Sequence, residues 1–125
     1  MTPSEFVAAR SVLGKTQKVM ARLLGVSLKA VHSYEQGWRN IPAHVQRQVF
    51  FLLARRPGRS NEHPPCWEQT DCPREIRDCC PAWEYDAGTL CWFACGTFCR
   101  GGPQRSWDEK MQICKSCRVF QSSLE

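Results

Sequence analysis

Nine cysteines lie in the second half of the 125-residue sequence, and none precedes Cys66. They fall in four short segments, CWEQTDC, CCPAW, CWFACGTFC and CKSC. Thiolates bind soft or borderline metals, and the two-residue gap between Cys114 and Cys117 lets both sulfur atoms reach one ion or cluster. One such pair is weak evidence, but seven further cysteines favour metal binding over free or disulfide-bonded thiols.

The elements that hold these cysteines lack a regular apolar period. Pro73, Pro81 and Gly96 are among the residues that interrupt it, so we expect the thiols to lie in short irregular loops. A module of about 60 residues with this composition buries little apolar surface. We therefore expect a bound metal or cluster to stabilise this module.

The first half differs in both chemistry and charge. Residues 1–63 carry 10 Lys and Arg against 3 Asp and Glu, net +7, whereas residues 64–125 carry 7 against 9, net −2. A basic surface suits a nucleic acid because neutralised phosphates release their counterions. Solubility alone is the competing explanation.

Capping residues and apolar spacing predict four or five short helices in this basic half. Thr16 and Ser27 are N-cap candidates for helices over residues 17–24 and 28–35, and a last helix is expected from residue 43 to about residue 54. These helices would position the polar residues of the basic half.

Residues 16–42, TQKVMARLLGVSLKAVHSYEQGWRNIP, resemble the lambda-repressor/Cro-like (XRE-type) helix-turn-helix family. The resemblance implies a bundle of short helices that binds double-stranded DNA as a homodimer, with the second helix of the motif in the major groove. The matching positions are Thr16-Gln17, Ala21, Gly25-Val26-Ser27, Val31, Tyr34-Glu35, Gly37, Arg39 and Pro42.

The same resemblance implies which residues contact DNA. The recognition helix would carry the groove-facing side chains, the N-terminus of the preceding helix would lie near phosphates, and the following loop would contact the backbone. Leu28 stands where the family usually has a polar residue. The implied set is Gln17, Ser27, Leu28, Lys29, His32, Ser33, Arg39 and Asn40.

The second half resembles the cysteine-rich "two-CW" modules found at the ends of signalling and regulatory proteins. The shared features include the repeated Cys66-Trp67 and Cys91-Trp92 dipeptides and Lys110. Cys79 and Cys95 lie outside the pattern and could be second-site ligands, redox partners or small buried hydrophobes. The metal-ligand candidates implied by the pattern are Cys66, Cys72, Cys80, Cys91, Cys99, Cys114 and Cys117.

Two cofactors suit this set of thiols. An iron-sulfur cluster, most simply [4Fe-4S], needs four thiolates, and Cys80-Pro81 is similar to the Cys-Pro that follows cluster ligands in ferredoxins. Structural zinc would use the same ligands, and we favour the cluster. Trp67 and Trp92 would shield either centre from water, and His63 is a further ligand candidate or a solvated linker residue.

The sequence as a whole predicts a mainly α protein. A lambda-repressor-like bundle over residues 1–57 is followed by a linker at 58–65, an irregular metal-stabilised cysteine-rich module at 66–121 and a tail at 122–125. We expect a cytoplasmic protein, since Met1 is not followed by a basic and apolar leader, and no membrane span, since the longest apolar stretch is far below ~20 residues.

The predicted function is a sequence-specific transcription regulator whose DNA binding is modulated by the iron-sulfur or zinc module. The alternative is a DNA-bound adaptor whose zinc-stapled module recruits a protein partner. A thiol redox protein comes third, because the Cys114/Cys117 pair lacks the strand-helix setting that lowers a thiol pKa in such enzymes. No catalytic constellation is visible, so an enzyme is not expected.

Overall fold

The cysteine-free part of the chain forms a unit of four α-helices. The computed structural model describes residues 1–58, 63–99 and 102–124. The chain divides into two compact units, Met1–Gly58 and Arg59–Glu125. The helices of the first unit are α1 (Pro3–Leu13), α2 (Gln17–Leu24), α3 (Leu28–Gln36) and α4 (Ala43–Ala54).

Side-chain caps fix the helix starts on which the predicted motif depends. The Thr16 hydroxyl accepts a 3.2 Å hydrogen bond from the Val19 backbone N–H, and Ser27 accepts one of 3.0 Å from Ala30. Gly25 ends α2 with a φ of 67°, in the left-handed region that glycine tolerates best. The predicted bounds of the second and fourth helices are confirmed, and the third extends one residue further than predicted.

The core of the first unit lies between α3 and its neighbours. Phe6 of α1 meets Tyr34 of α3 edge to face, with ring centroids 5.8 Å apart. Ala21 and Ala30 are small and buried, so α2 and α3 pack closely. The buried cluster comprises Phe6, Ala9, Met20, Ala21, Leu24, Ala30, Val31, Tyr34, Ile41, Val45 and Val49.

The second unit is more regular than its sequence suggested. We expected irregular loops interrupted by Pro73 and Pro81, but Pro73 precedes a helix and Pro81 is the first residue of another. Pro65, at the end of the predicted linker, also precedes a helix. A missing N–H costs nothing at a helix N-terminus, which explains the error. The helical segments are α5 (Cys66–Gln69), α6 (Arg74–Arg77), α7 (Pro81–Glu84), a 3-10 helix (Cys91–Phe93), α8 (Trp107–Cys114) and α9 (Arg118–Leu124).

The mainly α class is confirmed, since the regular elements of the described residues are helices and include no strand. The last of them, α9, continues to Leu124, within the residues predicted to form a tail. None of the helices described over residues 1–58, 63–99 and 102–124 has the length and apolar character needed to cross a membrane.

Candidate functional site

An ion pair between α1 and α3 orients the predicted recognition helix. Arg10 Nη2 lies 2.7 Å from Glu35 Oε1, and the Glu35 side chain is only 4% exposed. The other carboxylate oxygen of Glu35 accepts a hydrogen bond from the Gln17 side-chain amide at the start of α2. One buried carboxylate therefore connects α1, α2 and α3.

This contact alters the role expected of Gln17. We predicted its side chain near DNA phosphates, whereas its amide nitrogen is engaged with Glu35. A phosphate contact through that nitrogen would have to share or break the bond. Gln17 is thus positioned as a link between helices.

The two faces of α3 differ in character. Ala30, Val31 and Tyr34 are buried against the core, whereas Leu28, which is 50% exposed, shares the outward face with Lys29 and His32. Of the remaining predicted DNA-binding residues, Ser33 is half-buried, Ser27 caps the helix, and Arg39 and Asn40 are exposed in the following loop.

Trp38 extends this outward face and was not predicted. It is 73% exposed, and its ring meets the His32 ring edge to face at 5.4 Å. Its backbone N–H donates to the Ser33 carbonyl at 3.0 Å, so Trp38, two residues after the end of α3, is held against the helix end. A tryptophan in an otherwise polar stretch, GWRN, was the available signal.

The second unit contains a cavity of about 360 Å³ lined by thiols. Cys114, the seventh predicted ligand, is buried and does not line it, and neither do Cys79 and Cys95, the two cysteines outside the predicted pattern. The cysteines that line the cavity are Cys66, Cys72, Cys80, Cys91, Cys99 and Cys117.

The sulfur atoms surround this space without converging on one point. Among the described residues, no three His, Cys, Asp or Glu side chains are grouped closely enough to hold a metal ion as they stand. Thiolates bound to one tetrahedral zinc at about 2.3 Å stand about 3.8 Å from one another. The donor type suits a thiophilic centre, but the described thiols are not gathered in the group of three or more that a single ion requires.

Hydrogen bonding and burial give these thiols different pKa values. The hydrogen bond between Cys66 and Cys91 lowers the pKa of Cys66 and raises that of Cys91. Burial raises the pKa of Cys99 and of Cys72, and raises the pKa of Cys114 to about 11. Cys72, Cys91, Cys99 and Cys114 therefore hold their protons more tightly than an ordinary cysteine, and Cys66 holds its proton less tightly.

The tryptophans predicted to shield the centre have different positions. Trp67 lines the cavity and meets Trp83 edge to face at 4.9 Å, whereas Trp92 is fully buried against Phe120 at 5.8 Å and belongs to the core. His63 does not line the cavity, and its Nδ1 lies 3.3 Å from the Gln69 amide nitrogen. The described contacts of His63 are with the Pro64 carbonyl and the Gln69 side chain, away from the thiols of the cavity.

A buried lysine lies within the same unit. Lys110 of α8 is 1% exposed, and its Nζ donates to Thr97 Oγ1 at 2.8 Å and to Gln104 Oε1 at 3.5 Å. The Thr97 hydroxyl is also 3.5 Å from the sulfur atom of Cys99. Sequence rules place lysine at the surface by default, so nothing predicted this burial.

Comparison of the chain with known protein families, curated proteins and solved structures gives no match. The function must therefore be inferred from the outward face of α3 and from the thiol-lined cavity.

Proposed function

We propose that the protein is a sequence-specific, DNA-binding transcription regulator and not an enzyme. In this proposal α3 is the recognition helix, and the second unit holds a thiolate-ligated iron-sulfur cluster, or zinc, that modulates binding. The observation that carries the proposal is the division of α3 into a buried apolar face and an exposed face with Leu28, Lys29 and His32.

The dimensions and chemistry of α3 suit the major groove. An α-helix with its side chains is about 10–12 Å across, and the major groove is about 12 Å wide, so one helix fits it. Lys29 would donate to guanine acceptors, His32 to base edges or phosphate, and Leu28 would pack against a thymine methyl. The net charge of +7 on residues 1–63 supports the same partner.

We further propose a homodimer. A single nine-residue helix reads few base pairs, and two recognition helices in successive major grooves double the site. Phe51 on α4, which is 41% exposed next to the buried Phe50, is the candidate contact between copies. Sedimentation velocity of the full chain, with and without DNA, tests the stoichiometry.

For the second unit we favour an iron-sulfur cluster over zinc. The cavity has a volume of about 360 Å³ and is lined by six cysteines, and the described thiols are not grouped for a single ion. The cavity cysteines together with Cys114 would hold the centre. When bound, a cluster supplies one-electron redox chemistry, whereas zinc supplies only structure.

Selection of DNA from a random pool by the full-length protein tests the main proposal. We expect enrichment of a two-fold symmetric site. Lys29→Ala should then cost about 1–3 kcal/mol and relax the preference at one position, and His32→Ala should act in the same way. Exposed Lys18 on α2 is the matched control: Lys18→Ala should weaken all sequences alike and reduce the salt slope by about 1.

If no sequence is enriched, or if Lys29→Ala and His32→Ala both leave the selected site and its affinity unchanged, the recognition-helix proposal is wrong.

Anaerobic purification tests the cofactor. A brown protein that bleaches on reduction and contains iron and sulfide indicates a cluster, whereas a colourless protein with stoichiometric zinc indicates the alternative. Affinity for the selected DNA is then compared between metal-loaded and metal-free protein at the same salt. Equal affinities would exclude modulation but not DNA binding.

A second candidate function is a DNA-bound adaptor whose zinc-stapled unit recruits a protein. The observation in its favour is the set of exposed aromatic side chains of the second unit, Trp83, Tyr85 and Phe93. Interfaces with proteins are enriched in such residues. Zinc content together with metal-independent DNA affinity would favour this candidate.

A further inference from the structure

The burial of Lys110 poses an electrostatic problem in the second unit. An ammonium group removed from water costs several kcal/mol unless negative charge and hydrogen bonds compensate it. Lys110 is 1% exposed, and its hydrogen-bond acceptors, Thr97 and Gln104, are both neutral. Within the part of the chain that the structure describes, no carboxylate lies within ion-pair distance of it.

The groups that can supply negative charge are the cysteines. Burial raises the pKa of Cys99 and Cys114, and the hydrogen bond with Cys91 lowers that of Cys66, while the nearby Lys110 charge acts on all three in the direction that favours the thiolate. These residues include two that line the cavity and the buried one that does not. The ammonium therefore lies within electrostatic reach of the predicted ligand set.

Thr97 links the ammonium to one sulfur atom directly. Its hydroxyl oxygen accepts from Lys110, so its single hydrogen is available either to Gln104 Oε1 at 3.2 Å or to the Cys99 sulfur at 3.5 Å. A thiolate at Cys99 is the stronger acceptor of the two. Lys110 can then keep both Thr97 and Gln104 Oε1 as acceptors while the hydroxyl turns to sulfur.

We propose that Lys110 is the fixed countercharge of an anionic thiolate-held centre in this cavity, acting on Cys99 through the Thr97 hydroxyl. This rests on the metal-binding part of the proposed function. A divalent ion or a [4Fe-4S] core held by four thiolates carries net negative charge in both cases, so the same lysine serves either centre. Lys110 is a positioning residue and not itself a ligand.

The competing explanation is that Lys110 only ties the segment around Thr97 and Gln104 to α8. Lys110→Met and Lys110→Arg separate the two roles, because methionine keeps much of the apolar chain and loses the charge while arginine retains it. Arg105→Met is the matched control, since Arg105 is a charged, exposed residue of the same unit and lies outside the cysteine segments.

The experiment uses full-length, metal-free protein titrated anaerobically with Co(II) alone, in competition with a chelator at constant pH. Co(II) bound to thiolates absorbs visibly, so binding and ligation are read together. We expect Lys110→Met to weaken Co(II) binding at least tenfold, Lys110→Arg to recover most of the loss, and Arg105→Met to match the wild type. The melting temperature of metal-free Lys110→Met should not fall, since a buried charge has been removed.

Reconstitution of the same variants with ferrous iron and sulfide allows the reduction potential to be measured. A purely structural role of Lys110 would not change that potential. We expect a lower reduction potential in Lys110→Met than in the wild type, because loss of a nearby positive charge disfavours the added electron. If Lys110→Met does not fold, Thr97→Val replaces it and should weaken Co(II) and lower the potential in the same direction.

The assignment of Lys110 would be wrong if Lys110→Met had the same Co(II) affinity and reduction potential as the wild type, or if it lost only the stability of the metal-free protein. Either result would leave the metal proposal intact. Failure of the wild type to bind Co(II) or to form a cluster would overturn both.

Discussion

The Glu35 carboxylate receives Arg10 from α1 at 2.7 Å and also the Gln17 amide from α2. Glu35 is the acidic residue of α3, and it lies one helical turn from the exposed His32. The orientation of the outward face of α3 therefore depends on a group that does not itself face outward.

Replacement of Glu35 should uncouple these helices. Glu35→Ala leaves the Arg10 guanidinium without its partner and Gln17 without an acceptor, so we expect a loss of about 2–3 kcal/mol in the free energy of unfolding. Urea denaturation followed by far-ultraviolet circular dichroism measures it. Gln36→Ala, exposed in the same helix, should change stability by less than about 0.5 kcal/mol, and an equal effect of the two would contradict the role of Glu35.

Trp38 should report on DNA directly. It is the sole tryptophan of the first unit, it is exposed, and it contacts His32. Burial of part of its ring against DNA would contribute about 1 kcal/mol, so Trp38→Ala should weaken DNA binding roughly fivefold and leave unfolding unchanged. Subtracting the fluorescence spectrum of Trp38→Phe from that of the wild type isolates the emission of Trp38, and its maximum should shift when DNA is added. If the maximum does not shift and Trp38→Ala binds DNA as tightly as the wild type, Trp38 does not contact DNA.

Gly88 should tolerate no side chain. A Cβ there would lie 2.5 Å from Pro65 Cβ and 2.6 Å from the Trp67 ring, while the Gly88 carbonyl accepts the Cys66 N–H at 2.8 Å. We expect Gly88→Ala to destabilise the second unit by about 1–3 kcal/mol and to lower its metal content. Gly102→Ala is the control, since a Cβ there meets no atom within 4 Å. Equal melting temperatures would show that Pro65 and Trp67 can move aside.

The first unit was predictable because its signals are local. Thr16 and Ser27 cap α2 and α3, whose apolar residues recur at the helical period, so local preference and core burial agree on where these helices begin. The bounds of α4 followed from its apolar spacing, since it has no side-chain cap. The contact of Gln17 with Glu35 joins residues 18 positions apart and had no such signal.

The second unit was less predictable for a physical reason. Its helices of four residues have no apolar period to detect, and proline occurs both where helices stop and where they start. The cysteines were singled out by pattern, and six of the seven line one cavity, but their role as ligands stays a prediction. The burial of Lys110 depends on tertiary packing around Thr97 and could not be derived from spacing.

Alkaline pH should destabilise the metal-free protein through Cys114. Burial raises the pKa of this thiol from 9.0 to about 11, so the folded state holds the proton more tightly than the unfolded state. The stability that Cys114 contributes is therefore fully present below about pH 9 and is lost as pH rises toward about 11. Cys91, whose pKa is also raised, acts in the same direction.

Thermal melting of metal-free, reduced protein across this interval provides the measurement. Cys114→Ser is the matched variant, because serine does not ionise there, and it should flatten the decline in melting temperature relative to the wild type. Cys79→Ser, at an exposed position, should leave the decline unchanged. Bound metal takes up the thiolate form and should reverse the trend, so that the loaded protein loses stability as pH falls. A wild-type protein whose metal-free melting temperature rises above pH 9 would contradict the buried, protonated state of Cys114.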